Sequence, residues 1–254
     1  MMNIVSTLNE KLLNQPFSND MEESELLVKY QQIACGYTVV ENSIAVLSDL
    51  KSNKSYVYNG KMAERLGLAK SDTNLSLNSI WEEDILERIE PDDLIKKHSL
   101  ELQFFHYLKA LPLEDRSDYY ITSKMRMKDS KDEYTWVQHR MFYVCNSSGS
   151  FWLALCLYNL SRNDGEDKVS GGVIVNSATG GIICSDSKSY NNILTKREKE
   201  ILSLIDKGKM SKDIADMLSI SIYTINRHRQ NILEKLRVKN SHEACRVAKL
   251  LGLF

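Results

Sequence analysis

Asn226, Arg227 and Gln230 are the residues best equipped to do chemistry. They fall three and four positions apart on what reads as one helix, on a different side from Ile225, Ile232 and Leu236. A guanidinium so placed can donate two hydrogen bonds to guanine, and Asn226 or Gln230 can pair with adenine. Tyr223 and Arg229 stand at the edges of this set. The chemistry is recognition of base edges in the DNA major groove. A small helical bundle with a solvated polar face would show the same spacing, so the pattern alone leaves both readings open.

Four short helices must position these side chains. Thr195 and Glu198 form a Thr-x-x-Glu capping box, which predicts a helix from Lys196 with Ile201, Leu202 and Ile205 on its apolar face. Gly208 ends it. Ser211 is expected to cap a second helix that buries Ile214, Ala215 and Leu218. Ser219, Ile220 and Ser221 make a tight turn, and Ser221 caps a third helix reaching Leu236. Ser241 is expected to cap a fourth, with Gly252 after its end. A helix, a tight turn and a polar, basic helix is the arrangement that presents side chains to the major groove.

With these elements in place, the stretch 194–254 resembles the LuxR/NarL/FixJ-type helix-turn-helix. The resemblance rests on Leu194-Thr195, Arg197-Glu198, Glu200, Leu202, Gly208, Lys212 to Ala215, Leu218, Ile220-Ser221, Thr224-Ile225, His228, Ile232 and Lys235-Leu236. Asp213 and Ile225 depart mildly from the family pattern. The resemblance implies a transcription regulator that binds a double-stranded DNA operator as a homodimer, with RNA polymerase a further candidate partner. Asn226, Arg227, Gln230 and Tyr223 are then the base readers. Ser211, Lys212, His228, Arg229, Arg237, Lys239 and Ser241 are the candidates for phosphate contact.

Charge supports a division of labour. The chain of 254 residues has a formal net charge of -1. From Leu194 onward there are thirteen Lys/Arg against seven Asp/Glu, and before it twenty against twenty-seven. A basic end on an acidic body fits a DNA-binding module joined to a sensory or assembly domain. The five cysteines, Cys35, Cys145, Cys156, Cys184 and Cys245, include no C-x-x-C pair, which argues against a zinc ribbon or a thioredoxin motif. They read as reduced thiols in a cytoplasmic protein. No apolar run of ~20 residues suggests a signal peptide or a membrane span.

The rest of the chain alternates helices and short strands. Residues 1–20 look irregular around Pro16. A helix is predicted from Met21 to Val40. Ile44 to Leu47 and Ser55 to Tyr58 form a hairpin, followed by helical turns at Asn59 to Leu68 and Ile80 to Ile89. A longer helix runs from Asp92 to Leu111, before three strands at Tyr119–Met127, Tyr134–Cys145 and Ser150–Leu160. This order resembles a PAS domain. Lys128-Asp129-Ser130 with Tyr134 to Val137, and Ile89 to Leu94 with Glu90 where the family usually has His, carry the likeness. The resemblance implies a sensing or dimerisation domain with a candidate small-molecule pocket. Trp136, Tyr143, Phe151 and Trp152 are expected mainly to fill its core. His98, His106 and His139 are in range of a haem iron, but no second signature supports ligation, so no cofactor and no metal are expected.

The expected architecture is α+β: a helical extension at 1–41, a PAS-like antiparallel sheet with helices at 42–160, a hairpin and linker at 161–193, and an all-α four-helix module at 194–254. No nucleophile elbow, metal-ligand motif or phosphate loop points to an enzyme. Asp92-Asp93 is explained by the dipole at a helix start. Asp49 after an apolar strand resembles a receiver phospho-acceptor, so a phosphorylation-controlled response regulator is one alternative. A ligand-independent dimeric adaptor is another.

Overall fold

The computed structural model describes residues 2–17, 22–161, 172–183, 194–236, 238, 240–250 and 253. By compactness the chain divides into two units, Asn9–Cys184 and a second made of Met1–Leu8 with Ser185–Phe254. The elements in order are α1 (Met2–Leu13), α2 (Glu22–Glu41), β1 (Ile44–Asp49), β2 (Lys54–Asn59), α3 (Lys61–Arg65), β3 (Thr73–Leu77), α4 (Glu83–Leu86), α5 (Pro91–Lys109), a 3-10 turn (Leu113–Asp118), β4 (Tyr119–Lys128), β5 (Tyr134–Cys145), β6 (Phe151–Leu160), β7 (Val173–Asn176) and β8 (Ile182–Ile183). The helices α6 (Lys196–Asp206), α7 (Ser211–Leu218), α8 (Ile222–Leu236) and α9 (Ser241–Leu250) follow.

The strands form one antiparallel sheet in the order β3-β2-β1-β6-β5-β4-β7-β8. Its middle, β2-β1-β6-β5-β4, comprises the leading hairpin and the three late strands expected of the PAS-like reading. The last strand is inserted beside the first. β6 is buried along almost its whole length, whereas β4 and β5 alternate buried and half-buried residues. Leu153, Leu155 and Leu157 of β6 pack with Ala45 and Leu47 of β1 and Ala34 of α2 on one face. The intervening Ala154, Cys156 and Tyr158 lie opposite Tyr143, Met141 and His139 of β5. A strand covered on both faces reads as a continuous apolar run rather than an alternating one.

α5 carries the inner face. Pro91 opens it and Glu90 caps it, accepting from the Asp92 and Asp93 amides at 3.0 and 3.1 Å. Glu90 also accepts from Arg126 Nη2 at 2.8 Å, and Asp93 takes the same guanidinium through Nε at 2.8 Å and Nη2 at 3.1 Å. The residue that departs from the family motif is thus an anionic helix cap tied to β4. Phe104, Tyr143 and Phe151 stack in sequence, with ring centroids 5.5 and 4.7 Å apart. Tyr143, Phe151 and Trp152 are buried, as core filling requires, while Trp136 is only half-buried.

Several expectations need correction. Around Pro16, residues 14–17 are irregular as expected, but residues 2–13 are not. α1 forms there, with Leu8 and Leu12 buried one turn apart. The mainly polar Thr-Asn-Leu-Ser-Leu sequence of β3 does not predict a strand, and β3 lies at the sheet edge where that polarity is tolerated. The segment near Ile80 is helical only over the single turn of α4. The β7–β8 hairpin extends the sheet by pairing with β4. Gly172 leads into it at φ +90, where an added Cβ would sit 2.6 Å from Leu100 and 2.7 Å from Ser123. Asp49 closes the β1–β2 turn, accepting from the Lys51 amide, the Ser52 amide and the Ser52 hydroxyl at 3.0, 3.2 and 2.6 Å. Of the expected hairpin and linker at 161–193, residues 162–171 and 184–193 lie outside the described residues, as does Gly252.

Burial works against the charge on Asp93, but hydrogen bonds from Arg126 outweigh it and hold the carboxyl below its ordinary pKa. A depressed folded-state value adds stability above the unfolded pKa of about 4, and that stability is lost as pH falls through the folded value. Arg126→Ala is expected to lower stability at neutral pH by about 1–3 kcal/mol and to flatten the acid limb of stability against pH. An unchanged acid limb in thermal melts would remove the pair from this role.

Candidate nucleic-acid interface

The exposed face of α8 depends on how the helix is held from behind. Ile225, Ile232 and Leu236 bury its inner stripe, together with Ile201 and Leu202 of α6 and Ile214 and Ala215 of α7. α6 opens with the expected capping box. The Thr195 hydroxyl accepts from the Glu198 amide at 3.2 Å, and the Glu198 carboxylate accepts from the Thr195 amide at 2.8 Å. Lys235 near the end of α8 donates to both Glu198 oxygens, at 2.8 and 2.7 Å. Burial opposes the charge on Glu198, yet the bonds from Lys235 and Thr195 keep its carboxyl below the usual range.

A second tie joins three helices. Arg229 of α8 donates through Nη1 to the Ser211 hydroxyl at 2.8 Å and through Nη2 to the Ser241 hydroxyl at 2.9 Å. Both serines stand one place inside their helices and not at the cap. Met210 occupies the N-cap position of α7, and Asp213 reaches back to accept from the Met210 amide at 3.1 Å. At α9, Asn240 Oδ1 accepts from the Glu243 amide at 2.9 Å, and the Asn240 carbonyl accepts from Ala244. Asp213, two places after Ser211, and Asn240, one place before Ser241, take the bonds at the helix starts, and this frees the two hydroxyls for Arg229.

The α7–α8 connection is as tight as the sequence suggests. Ser219 takes the left-handed conformation, φ 52 and ψ 42, and the Ile220 amide donates to the Ala215 carbonyl at 3.1 Å. The Ser221 hydroxyl accepts from the Thr224 amide at 3.1 Å and caps α8. Gly208, at φ +77, ends α6 where an L side chain would be strained. Arg197 adds a bond from Nη2 to the Leu218 carbonyl at 3.1 Å, which satisfies the end of α7.

Tyr223, Asn226, Arg227 and Gln230 are all exposed, Tyr223 to 78%. Their spacing of three, four and seven places them on one stripe. Gln230 also donates to Glu234 at 3.2 Å. Lys212 is exposed at the start of α7, while Ser211, Arg229 and Ser241 are half-buried by the bonds they make. His228 is half-buried, with Nδ1 shielded from solvent and unpartnered among the described residues. Arg237 and Lys239 lie outside the described residues. The sequence reading omits Ile222, which is 46% exposed at the first position of α8. Its signal was an aliphatic residue off the buried stripe.

Residues 192–248 match the family model described as bacterial regulatory proteins, luxR family, so this segment carries a luxR-family helix-turn-helix. The transcriptional regulatory protein DesR of Bacillus subtilis is 46% identical over 72 residues, 28% of this chain and 36% of that protein. The uncharacterized response regulatory protein YgeK of Escherichia coli is 44% identical over 69 residues, 27% of this chain and 47% of that one. The chain therefore spans less than half the length of these curated relatives. Among solved structures, the VqmA dimer of Vibrio cholerae, described with LuxR-type receptors, covers 88% of both chains at 17% identity and a TM-score of 0.31.

Removing the Glu198 carboxylate takes away a helix cap and the two hydrogen bonds it accepts from Lys235. Glu198→Ala is expected to destabilise the C-terminal helices by about 1–3 kcal/mol. Chemical denaturation followed by helical circular dichroism would measure it, and a loss under ~0.5 kcal/mol would mean that packing alone holds α6 to α8.

Proposed function

We propose that the chain is a sequence-specific transcription regulator and not an enzyme: α8 enters the major groove of a duplex operator, and the PAS-like unit controls that binding. The observation that carries this reading is the exposed polar stripe of α8 on a segment that matches the luxR family. Arg227 donates to guanine, Asn226 and Gln230 pair with adenine, and Tyr223 reaches a base at the edge of the set. Ile222 is suited to a thymine methyl. Lys212 meets phosphate beside the N-terminus of α7. Arg229 and His228, with the helix starts at Ser211 and Ser241, contribute positive potential near the backbone, joined by Arg237 and Lys239. Arg229 has donors left over after binding two hydroxyls, since a guanidinium carries five N–H groups.

The operator is bound by a homodimer, with half-sites one helical turn apart, roughly 34–36 Å. The domain division follows the sequence reading: a helical extension at 1–41, sensing or dimerisation at 42–160, a connection at 161–193 and DNA binding at 194–254. The controlling input is a signal, a ligand or dimerisation in the PAS-like unit. Control by phosphorylation is less well supported, because the sheet is antiparallel throughout and the Asp49 carboxylate already holds a turn.

Selection of bound fragments from a random duplex library should enrich a palindromic site. Arg227→Ala is expected to relax preference at one base position in each half-site and to weaken binding there by about 1–3 kcal/mol. Lys212→Ala should instead weaken binding to every sequence alike and reduce the salt slope by about one. If Arg227→Ala also lost affinity uniformly, the base-reading assignment would pass to its neighbours on the stripe.

A further inference from the structure

The inner face of the sheet is not wholly apolar. His139 of β5 pairs with Tyr158 of β6, and Cys156 lies two places earlier on the same face, diagonally across the ladder. Glu101 comes down on the pair from α5. One donor atom from each of Glu101, His139 and Cys156 falls within 4.8 Å of the other two, and all three residues are buried. His139 has no exposed surface, and neither of its ring nitrogens has a hydrogen-bond partner among the described residues. Leaving a buried polar atom unpartnered costs about 1–3 kcal/mol, so the ring calls for a partner.

Burial first, and the Lys97 ammonium second, disfavour a charged His139 ring, and burial likewise pushes the Cys156 thiol up. Lys97 donates to Glu101 Oε1 at 2.6 Å, while Oε2 makes only a 3.3 Å contact with His98 Nδ1. Lys97 thus fixes the carboxylate through one oxygen, and the second oxygen has the longer contact. Glu82 adds another buried carboxylate, accepting from the Tyr158 hydroxyl at 2.7 Å. Two carboxylates then face one ammonium, an excess of one negative charge. A divalent cation binding with loss of the thiol proton would add one positive charge and cancel it.

We infer that Glu101, His139 and Cys156 form a site for one divalent transition-metal ion of the zinc type, with a fourth position left to water or a small ligand. The donor set is one nitrogen, one sulfur and one oxygen, which suits zinc and excludes calcium and magnesium. Tetrahedral bonds of about 2.0–2.3 Å put donor atoms roughly 3.3–3.7 Å apart, so modest side-chain rotation closes the site. On binding, the Cys156 S–H bond gives its proton to solvent and a metal–sulfur bond replaces it. The ion would clamp α5 to the two central strands.

The test is titration of the chelator-stripped full chain with Co2+. We expect one equivalent bound, a thiolate-to-cobalt charge-transfer band with four-coordinate visible bands, bleaching by one equivalent of Zn2+, and a higher melting temperature with the metal. Cys156→Ala should abolish the thiolate band, and His139→Gln should weaken uptake at least roughly tenfold. Cys145→Ala, which removes another thiol of the sheet, should leave it intact. Circular dichroism of each metal-free variant reports folding, and the wild-type stoichiometry stands whichever variants fold. Absence of stoichiometric uptake by the folded wild-type chain would overturn the site, as would a thiolate band that survives Cys156→Ala.

Discussion

A buried carboxylate fixes where α8 can present its outer face. Glu198 accepts from its own helix start and from Lys235 at the far end of α8. Such a group is stable in a dry setting only while every bond is made, so the spacing between α6 and the end of α8 has little freedom. Arg229 applies the same logic near the middle of α8 and ties it to the starts of α7 and α9. With its inner stripe buried and two charged ties behind it, α8 has one side left. That side carries Tyr223, Asn226, Arg227 and Gln230. Preorganisation of this kind spares a recognition helix the entropy of being ordered at the moment of contact.

The sheet unit is organised by a different constraint. β6 has to be covered on both faces, so α2 on one side and α5 on the other are parts of the same solution. α5 meets this demand unusually. Phe104, Phe105 and Leu108 supply the apolar contact at one end, while the Lys97–Glu101 ion pair brings charge to the other. A buried ion pair is often no better for stability than apolar residues of equal size. Its presence at the centre of the inner face is therefore better explained by what it prepares than by what it stabilises.

Patterns that repeat within a few residues were legible in the sequence. The capping box at Thr195, the stripe of α8 and the turn at Ser219 are all local, and each forms as spacing dictates. The late strands were legible for the same reason. What could not be read depends on competition or on pairing. Ser211 and Ser241 look like caps until Asp213 and Asn240 are seen to take that role, which changes the serines from helix caps into acceptors for Arg229. β3 exists because β2 offers an edge, not because Thr73 to Leu77 favours a strand. Glu101, His139 and Cys156 are far apart in the chain, and only the β5–β6 register brings the last two together. Short ligand motifs are blind to a set assembled that way.

The charge along α8 also bears on how it would meet a duplex. Arg227 lies in its first half, whereas Glu234 lies in the second and takes a hydrogen bond from Gln230. Glu234 would repel the phosphates if the helix lay flat in the groove along its whole length. A tilted approach, with the N-terminal turns of α8 deepest, keeps Glu234 away from the backbone and brings Lys212 and the start of α7 towards it. That approach also suits the two rear ties, because Lys235, at the C-terminal end, is already committed to Glu198 and is not available to neutralise a phosphate. Under the proposed reading, therefore, specificity concentrates in the first two turns of α8, and Gln230 marks the depth at which base contact ends.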